Sequence, residues 1–395
     1  MGHMIHQRLQ SFLKKRRCTL LGVGPMSLNC VDAAIELSNE YEVPLLMIAS
    51  RRQIDSEVFN GGYVNNWTTS EYARYVIDRD KKGKIILARD HGGPWQNIRE
   101  IEENLSLRRA MESAKKSYRA DLEAGFQILH IDPSIDIHGK PNINEILDRI
   151  FELYEFCWIQ AQQLQQDVIF EIGTEEQSGS TNTPEELDFT LNEVMKFCKS
   201  YRLPKPSFVV IQCGTRVMET RNVGSFDSPV RVVDELPAEI QLPKMIEICN
   251  NHGILMKEHN TDYLSDEALQ WHPRLGIHAA NVAPEFGVTE SRALVEILEA
   301  HCLSDLSDQF LTIAYDSHKW DKWILPNSLA TDRDRAIIAG HYVFSTPACI
   351  SMKEKAAALL ESKGILLERL LKDKVKSAIL RYLVNFRQIR AARCA

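Results

Sequence analysis

The feature that most constrains what this chain can become is a rhythm. Eight short apolar runs, each closed by polar or turn residues and separated from the next by helical sequence, follow one another from about residue 20 to 285. They fall at 18–24, 44–49, 84–91, 126–132, 168–175, 208–214, 253–259 and 276–282. A short apolar run bounded by turn residues reads as a strand buried on both faces. Strands that alternate with helices lie parallel, because the helix carries the chain back to the same end of the sheet. Eight such units predict an α/β fold, a (β/α)8 TIM barrel, which typically takes roughly 250 residues. A doubly wound open sheet is the competing arrangement, but no Gly-x-Gly-x-x-Gly turn opens a helix after any of these runs.

The expected division follows from that rhythm. Residues 1–18 hold Met1-Gly2-His3-Met4, read as a cloning scar, and a leading helix with Leu9, Phe12 and Leu13 beside a basic face. Residues 19–300 make the barrel, and 301–395 a helical extension packed on it. Within the extension, Leu366, Leu367, Leu370, Leu371, Val375, Ile379, Leu380 and Leu383 recur near helical spacing among Lys and Arg. Such a stripe suits a membrane surface or a partner helix, but packing on the barrel or on a second subunit is the plainer reading. Thr68 to Glu71 carries a helix-capping pattern, and Thr183-Pro184-Glu185-Glu186 restarts a helix.

Composition excludes more than it assigns. A net charge of -7 gives no pull towards nucleic acid or an anionic membrane. No signal peptide is read at the start, and no apolar run approaches the roughly 20 residues of a membrane span. Nine cysteines are scattered from Cys18 to Cys394 without a Cys-x-x-Cys pair. This reads as a reduced, cytoplasmic protein whose cysteines fill its core and build no zinc site.

A barrel enzyme collects its chemistry at the C-terminal ends of its strands. Those ends supply Gln53, Asp90-His91, Asp132, Glu171 and Glu175, Gln212, and Glu258-His259-Asn260-Thr261-Asp262. His91 and His259, with the Glu175 carboxylate and the Gln212 amide, form a donor set for a divalent metal. Such a metal polarises a substrate carbonyl, and Asp90, with Glu171 or Asp262, moves the proton. Neighbours on a strand face opposite ways, so Asp90 and His91 both reach the site only if the strand turns, which Gly92-Gly93 permits. Plainer roles compete: His259 capping a helix through Asn260 or Thr261, Glu171 as an interior residue paired with Lys or Arg, Gln212 as a hydrogen-bonding amide. His130 and His278 lie inside strand patterns and read as core or helix-facing histidines.

Several motifs together resemble a known family. They are Gln53 to Gly61-Gly62-Tyr63, Asp90-His91-x-Gly93-Pro94-Trp95-Gln96, Ile128-x-His130-x-Asp132 and Ile172-Gly173-Thr174-Glu175. Gln212-x-Gly214, Glu258-His259-Asn260-Thr261-Asp262-Tyr263, Val282-x-Pro284 and Asp332-Arg333-Asp334-Arg335 complete the series. The chain resembles the D-tagatose-bisphosphate aldolase class II accessory subunits of the GatZ/KbaZ type, themselves similar to metal-dependent class II ketose-bisphosphate aldolases. The resemblance implies a TIM barrel, a sugar or sugar-phosphate ligand and a divalent metal, Zn2+ in the first place. It places the metal on His91, Glu175, Gln212 and His259, and proton transfer on Asp90. The third histidine of those aldolases, after a Gly-Thr turn, has no counterpart, since Gly214-Thr215 leads into Arg216-Val217.

Other departures are Gly24-Pro25-Met26-Ser27 on the first strand, Ala280-Asn281 where a lysine is usual, and Ala336-Ile337-Ile338 after Arg335. They point to a divergent substrate, expected among Arg52, Gln53, Asp132, Asn260, Thr261, Asn281, Arg333 and Arg335. The three arginines suit an anionic substrate group, with surface ion pairs as their alternative. The expected activity is aldol cleavage or epimerisation of a ketose, a keto-sugar acid or its phosphate. The alternative is a non-catalytic subunit that stabilises an aldolase partner. Neither nucleic acid nor membrane is expected as a partner; an aldolase chain or a second copy of this one is.

Overall fold

The computed structural model describes residues 4–173, 183–211, 214–223 and 238–390. All eight expected strands form: β1 Leu20–Val23, β2 Leu45–Ser50, β3 Ile85–Gly92, β4 Ile128–Ile131, β5 Ile169–Ile172, β6 Phe208–Ile211, β7 Leu255–Glu258 and β8 Ala279–Val282. They pair in sequence order and in parallel, and β8 returns to β1 to close the ring. The fold is a (β/α)8 TIM barrel with C-terminal helices. The capping threonines act as their pattern predicts: Thr68 and Glu71 start the helix Thr69–Arg79, and Thr183 and Glu186 start Pro184–Tyr201. After β6, Val217–Met218 pairs with Arg221–Asn222 in a two-residue antiparallel hairpin. No helix among the described residues is long and apolar enough to cross a membrane.

Strand alternation decides what lies inside the ring. Leu46 and Ile48, Ile86 and Ala88, Ile128, Ile169, Phe208, Leu255 and Ala279 form one buried cluster, the lower interior. Residues of the other parity, such as Met47, Leu87, Leu129, Phe170 and Met256, join the larger cluster beneath the helices. The leading helix Met4–Arg16 adds Ile5, Leu9 and Leu13 to the interior cluster, so it plugs the N-terminal end of the barrel. His6 Nδ1 lies 2.8 Å from Ser207 Oγ, and the Ile5 amide donates to Asp167 at 3.1 Å, which ties the plug to the floor.

The extension is built into the barrel as well as packed on it. Leu294, Phe310, Met352, Leu360 and Leu371 make a separate small core. The helix Leu367–Asn385 then packs between Leu28–Tyr41 and Pro284–Ala300. Its Val375, Ile379, Tyr382 and Leu383 belong to the barrel core, so this last helix completes the outer ring. Past its end, Gln388 accepts the Leu21 amide at 2.7 Å and donates to the Pro44 carbonyl at 2.9 Å. The apolar stripe is thus divided between the small core and the barrel, although Leu366 stays exposed.

Candidate active site

Two residues further along the same inward-facing parity, the interior turns from apolar to polar. Above Ala88, Ile128, Ile169, Leu255 and Ala279 stand Asp90, His130, Glu171, Lys257 and Asn281, all buried. His91 joins them through a bulge. The register between β3 and β4 runs from Arg89 opposite Leu129 to Gly92 opposite Ile131, so β3 takes one extra residue. That residue breaks the alternation and lets two neighbours face inward. His91 adopts φ +43 to do so. Both glycines are needed: a Cβ on Gly92 would strike Tyr118 and the His130 carbonyl, and one on Gly93, at φ +152, would strike the Asp132 carbonyl. Arg89 faces outward and anchors the strand, donating to Asp121 and to the Ala49 and Ile54 carbonyls, each at 2.8 Å.

The polar groups meet at one point. His259 Nε2 lies 3.6 Å from both Asp90 Oδ1 and Glu171 Oε1, and His130 Nδ1 lies 3.5 Å and 3.7 Å from the same two oxygens. The rings of His91, His130 and His259 form a triangle with centroid separations of 5.6, 5.3 and 4.9 Å. Glu171 Oε2 is held by Lys257 Nζ at 2.8 Å, which confirms an interior pairing and leaves Oε1 to the histidines. His91 Nδ1 lies 2.8 Å from Asp132 Oδ2, which turns its Nε2 towards Asp90. Asn281 donates to Asp90 Oδ1 at 3.3 Å.

Charge follows geometry. Burial alone would raise Asp90, but the His91 and His259 charges and the His130 hydrogen bond hold it well below the carboxylate range. Burial likewise opposes ionisation of Glu171, and Lys257 overrides it to about 2. Burial would lower His91, yet Asp90 and Asp132 lift it to about 9, whereas His259 ends below the usual histidine value because burial wins there. His259 Nε2 and Glu171 Oε1 are buried without a hydrogen-bond partner among the described residues. Facing orphans of opposite polarity, spaced beyond hydrogen-bond reach, mark a place for an ion or a water.

Above this floor opens a cavity of about 400 Å³, within the usual range for small-molecule sites. Arg52, Gln53, Asp132, Asn260, Asp262 and Asn281 line it, as do Asp90, His91 and His259. Asp262 Oδ1 accepts the Ala283 and Glu285 amides at 3.0 Å and 2.8 Å, at the start of the helix Pro284–Ala300. Tyr63, Trp323 and Tyr342 add an aromatic wall, the last two from the extension.

Three expected substrate-binding residues, Thr261, Arg333 and Arg335, lie off the cavity wall. Thr261 is fully buried, its amide bonded to the Asn281 carbonyl at 3.2 Å, and is off the cavity wall. Arg333 and Arg335 lie on the helix Asp332–Val343, whose buried positions are taken by Ala336, Ile337 and Ile338, and neither lines the cavity. They pair instead with Glu299 and Asp332. Glu175 and Gln212, the other two expected metal ligands, lie outside the described residues. One residue is added to the expected set: His130, expected to be a core histidine, belongs to the cluster and supplies the third imidazole from β4. Its parity with Ile128 was the signal.

Residues 10–301 match the sequence pattern of the family described as D-tagatose-1,6-bisphosphate aldolase subunit GatZ/KbaZ-like. Among solved structures, a probable tagatose 6 phosphate kinase from Sinorhizobium meliloti 1021 is similar at a TM-score of 0.72 and 17% identity, over 93% of this chain and 100% of that one. The glycerol-complexed fructuronate-tagaturonate epimerase UxaE from Cohnella laeviribosi is similar at a TM-score of 0.61 and 12% identity, over 96% of this chain and 86% of its own. At such identities these two structures are likenesses of fold.

Proposed function

Because the chain belongs to the GatZ/KbaZ-like family of D-tagatose-1,6-bisphosphate aldolase subunits, we propose that it is a metal-dependent enzyme acting on a ketose, a keto-sugar acid or a sugar phosphate, by aldol cleavage or epimerisation. The observation that carries this reading is the meeting of three imidazoles and two carboxylates at the floor of the cavity. Imidazoles sharing a tetrahedral zinc would have ring centres about 5 Å apart, close to the spacing of His91, His130 and His259. The Asp132 carboxylate on His91 Nδ1 repeats the pairing that orients metal-binding histidines. His130, His259 and Glu171 Oε1, whose donor atoms lie together, would hold a divalent cation, Zn2+ in the first place, with His91 beside them.

The cation would supply Lewis-acid polarisation of a substrate carbonyl. Asp90 then moves the proton on the carbon beside that carbonyl, with Asn281 fixing its Oδ1. Glu171 was a candidate for the same work. With one oxygen committed to Lys257 and the other turned to the histidines, it serves instead to hold and balance charge. Asp262, on the cavity wall, supplies the second proton-transfer group.

The family description as an aldolase subunit favours a second reading, in which the chain acts only beside an aldolase partner. One experiment separates them. The purified chain is analysed for metal, then loaded and incubated with ketoses, ketose phosphates and keto-sugar acids, and followed by NMR for epimers and three-carbon fragments. One equivalent of metal, with turnover lost in His91→Ala and His259→Ala, supports the enzyme. Metal bound with every substrate untouched until an aldolase chain is added supports the subunit. Turnover that survives both substitutions in metal-free protein sinks the metal reading.

A further inference from the structure

Behind the cavity wall, between the turns that follow β2 and β3, lies a set of buried charges that takes no part in the chemistry above. Its centre is Arg51, which is 1% exposed and off the cavity wall. Its Nε donates to Asp55 Oδ2 at 3.1 Å, and its Nη1 lies 2.7 Å from Glu100 Oε1. Nη1 also donates to the Gly93 carbonyl at 2.8 Å, and Nη2 to Ser113 Oγ at 3.3 Å, on the helix Leu107–Ala124. Asp55, Glu100 and Ser113 are buried as well.

Stability alone does not account for such a centre. A guanidinium and two carboxylates cost much to take out of water, and well-packed apolar side chains in their place often leave a protein as stable or more so. What apolar side chains cannot do is fix the direction of a carbonyl or a carboxylate. Here two such directions converge on one pair. By the first route, Arg51 holds the carbonyl two residues past His91, where Gly93 runs so close to the Asp132 carbonyl that a Cβ would overlap it. By the second, Asp55 Oδ2 also accepts Asn97 Nδ2 at 2.8 Å, while Ser117 Oγ holds the other Asp55 oxygen at 2.6 Å. That bond fixes the chain beside Gln96, whose Nε2 donates to Asp132 Oδ2 at 3.2 Å. The same oxygen meets His91 Nδ1 at 2.8 Å.

We propose that Arg51 is a positioning residue for His91: it holds the exit of the β3 bulge and the Gln96–Asp132 arm, and through both it turns the His91 ring towards Asp90. This rests on the reading of the histidine cluster as the reacting end. A guanidinium is needed because its donors lie in one rigid plane and reach Asp55, Glu100 and Gly93 together. An ammonium in its place keeps the charge and loses the fork.

The test reads the His91 ring directly and needs no turnover. In full-length protein stripped of metal, the ring N–H proton shared with Asp132 is followed by NMR and identified by its loss in His91→Gln. Arg51→Lys speeds its exchange with water about tenfold or more, the scale of one charge-assisted hydrogen bond. Asn97→Ser, whose shorter side chain can still cap the helix Ile98–Glu102 but gives up Asp55, speeds it at least about threefold. Phe208→Ala, which weakens the barrel floor, leaves it within about twofold of wild type, because the proton exchanges by local opening. Where a ketose is turned over, kcat of Arg51→Lys falls about ten- to hundredfold with KM little changed, as for other groups that orient a metal-site histidine. Wild-type exchange or wild-type kcat in folded Arg51→Lys overturns the proposal, as does equal acceleration by Phe208→Ala or a signal missing from wild type. If Arg51→Lys fails to fold, wild-type exchange in Asn97→Ser overturns it instead. Exchange that depends on Arg51 in a protein that turns over no ketose upholds the positioning and sinks the reaction.

Discussion

The lower and upper halves of the barrel interior are made by the same strands, at the same parity, two residues apart. Below, Ile86, Ala88, Ile128, Ile169 and Phe208 pack against one another and against the plug of Ile5, Leu9 and Leu13. Above, Asp90, His130, Glu171 and Lys257 face one another across polar gaps. Apart from the bulge in β3, backbone geometry does not tell these layers apart. The difference is that the lower layer is closed by a helix and the upper opens into the cavity, so burial in the first is bought with dispersion and in the second with paired charge. Stability and chemistry are thereby separated by height along the strand, as in barrels generally.

Substitution in each layer breaks the comparison if that separation is false. Asp90→Asn should lower turnover by about 10²–10⁴-fold, the usual loss on removing a proton-transfer group. It removes one buried charge partner and so lowers the unfolding midpoint, but the chain should still fold cooperatively. Phe208→Ala should cost about 3–5 kcal/mol of stability through the cavity it opens. It should leave kcat of the surviving folded protein largely intact. Denaturant melts and NMR turnover on both variants decide it: a stable, inactive Phe208→Ala or an unfolded Asp90→Asn would show that the layers are coupled.

The same contrast explains what could be read in the sequence. The strands were legible because fully buried strands leave unbroken apolar runs. Asp90-His91 was legible because polar residues recur at the same end of strand after strand, which a capped turn alone would not require. His130 was not, because it interrupts Ile128-Leu129-His130-Ile131, where an apolar pattern announces burial without saying that the far side is wet. Counting alternate residues from Ile128 would have placed it beside Asp90. Trp323 was out of reach for another reason: its place depends on how the extension folds back, which no local spacing encodes. Arg333 and Arg335 failed in the opposite sense, since a shared motif carries no depth, and their helix turns both to ion pairs off the cavity wall.

A smaller effect sharpens the comparison at the upper rim. Burial, then the Glu285 charge, pushes Asp262 up to about 7 against its two backbone donors. Tyr263 and Tyr382 also face this group. The folded chain therefore keeps a proton that the unfolded chain releases near pH 4. The resulting contribution to stability is whole below about pH 4 and is lost as pH rises through about 7. Between pH 5 and pH 8, wild type should lose about 2 kcal/mol more than Asp262→Asn, by denaturant melts at each pH. Identical losses in both would remove Asp262 as a titrating group.

The smallest effect belongs to the floor plug. Ser207 Oγ meets His6 Nδ1 at 2.8 Å, beneath β6 and far along the strand axis from the histidine cluster. Replacing the hydroxyl in Ser207→Ala removes one partly buried hydrogen bond, worth about 1 kcal/mol net. The apolar seat of Leu9 and Leu13 is untouched, so the helix should stay docked and turnover should match wild type. Hydrogen exchange in the Met4–Arg16 helix should quicken by no more than about tenfold, the rate equivalent of that energy. A loss of turnover from this substitution would mean that the closed end of the barrel communicates with the open one, and that height alone does not divide packing from chemistry.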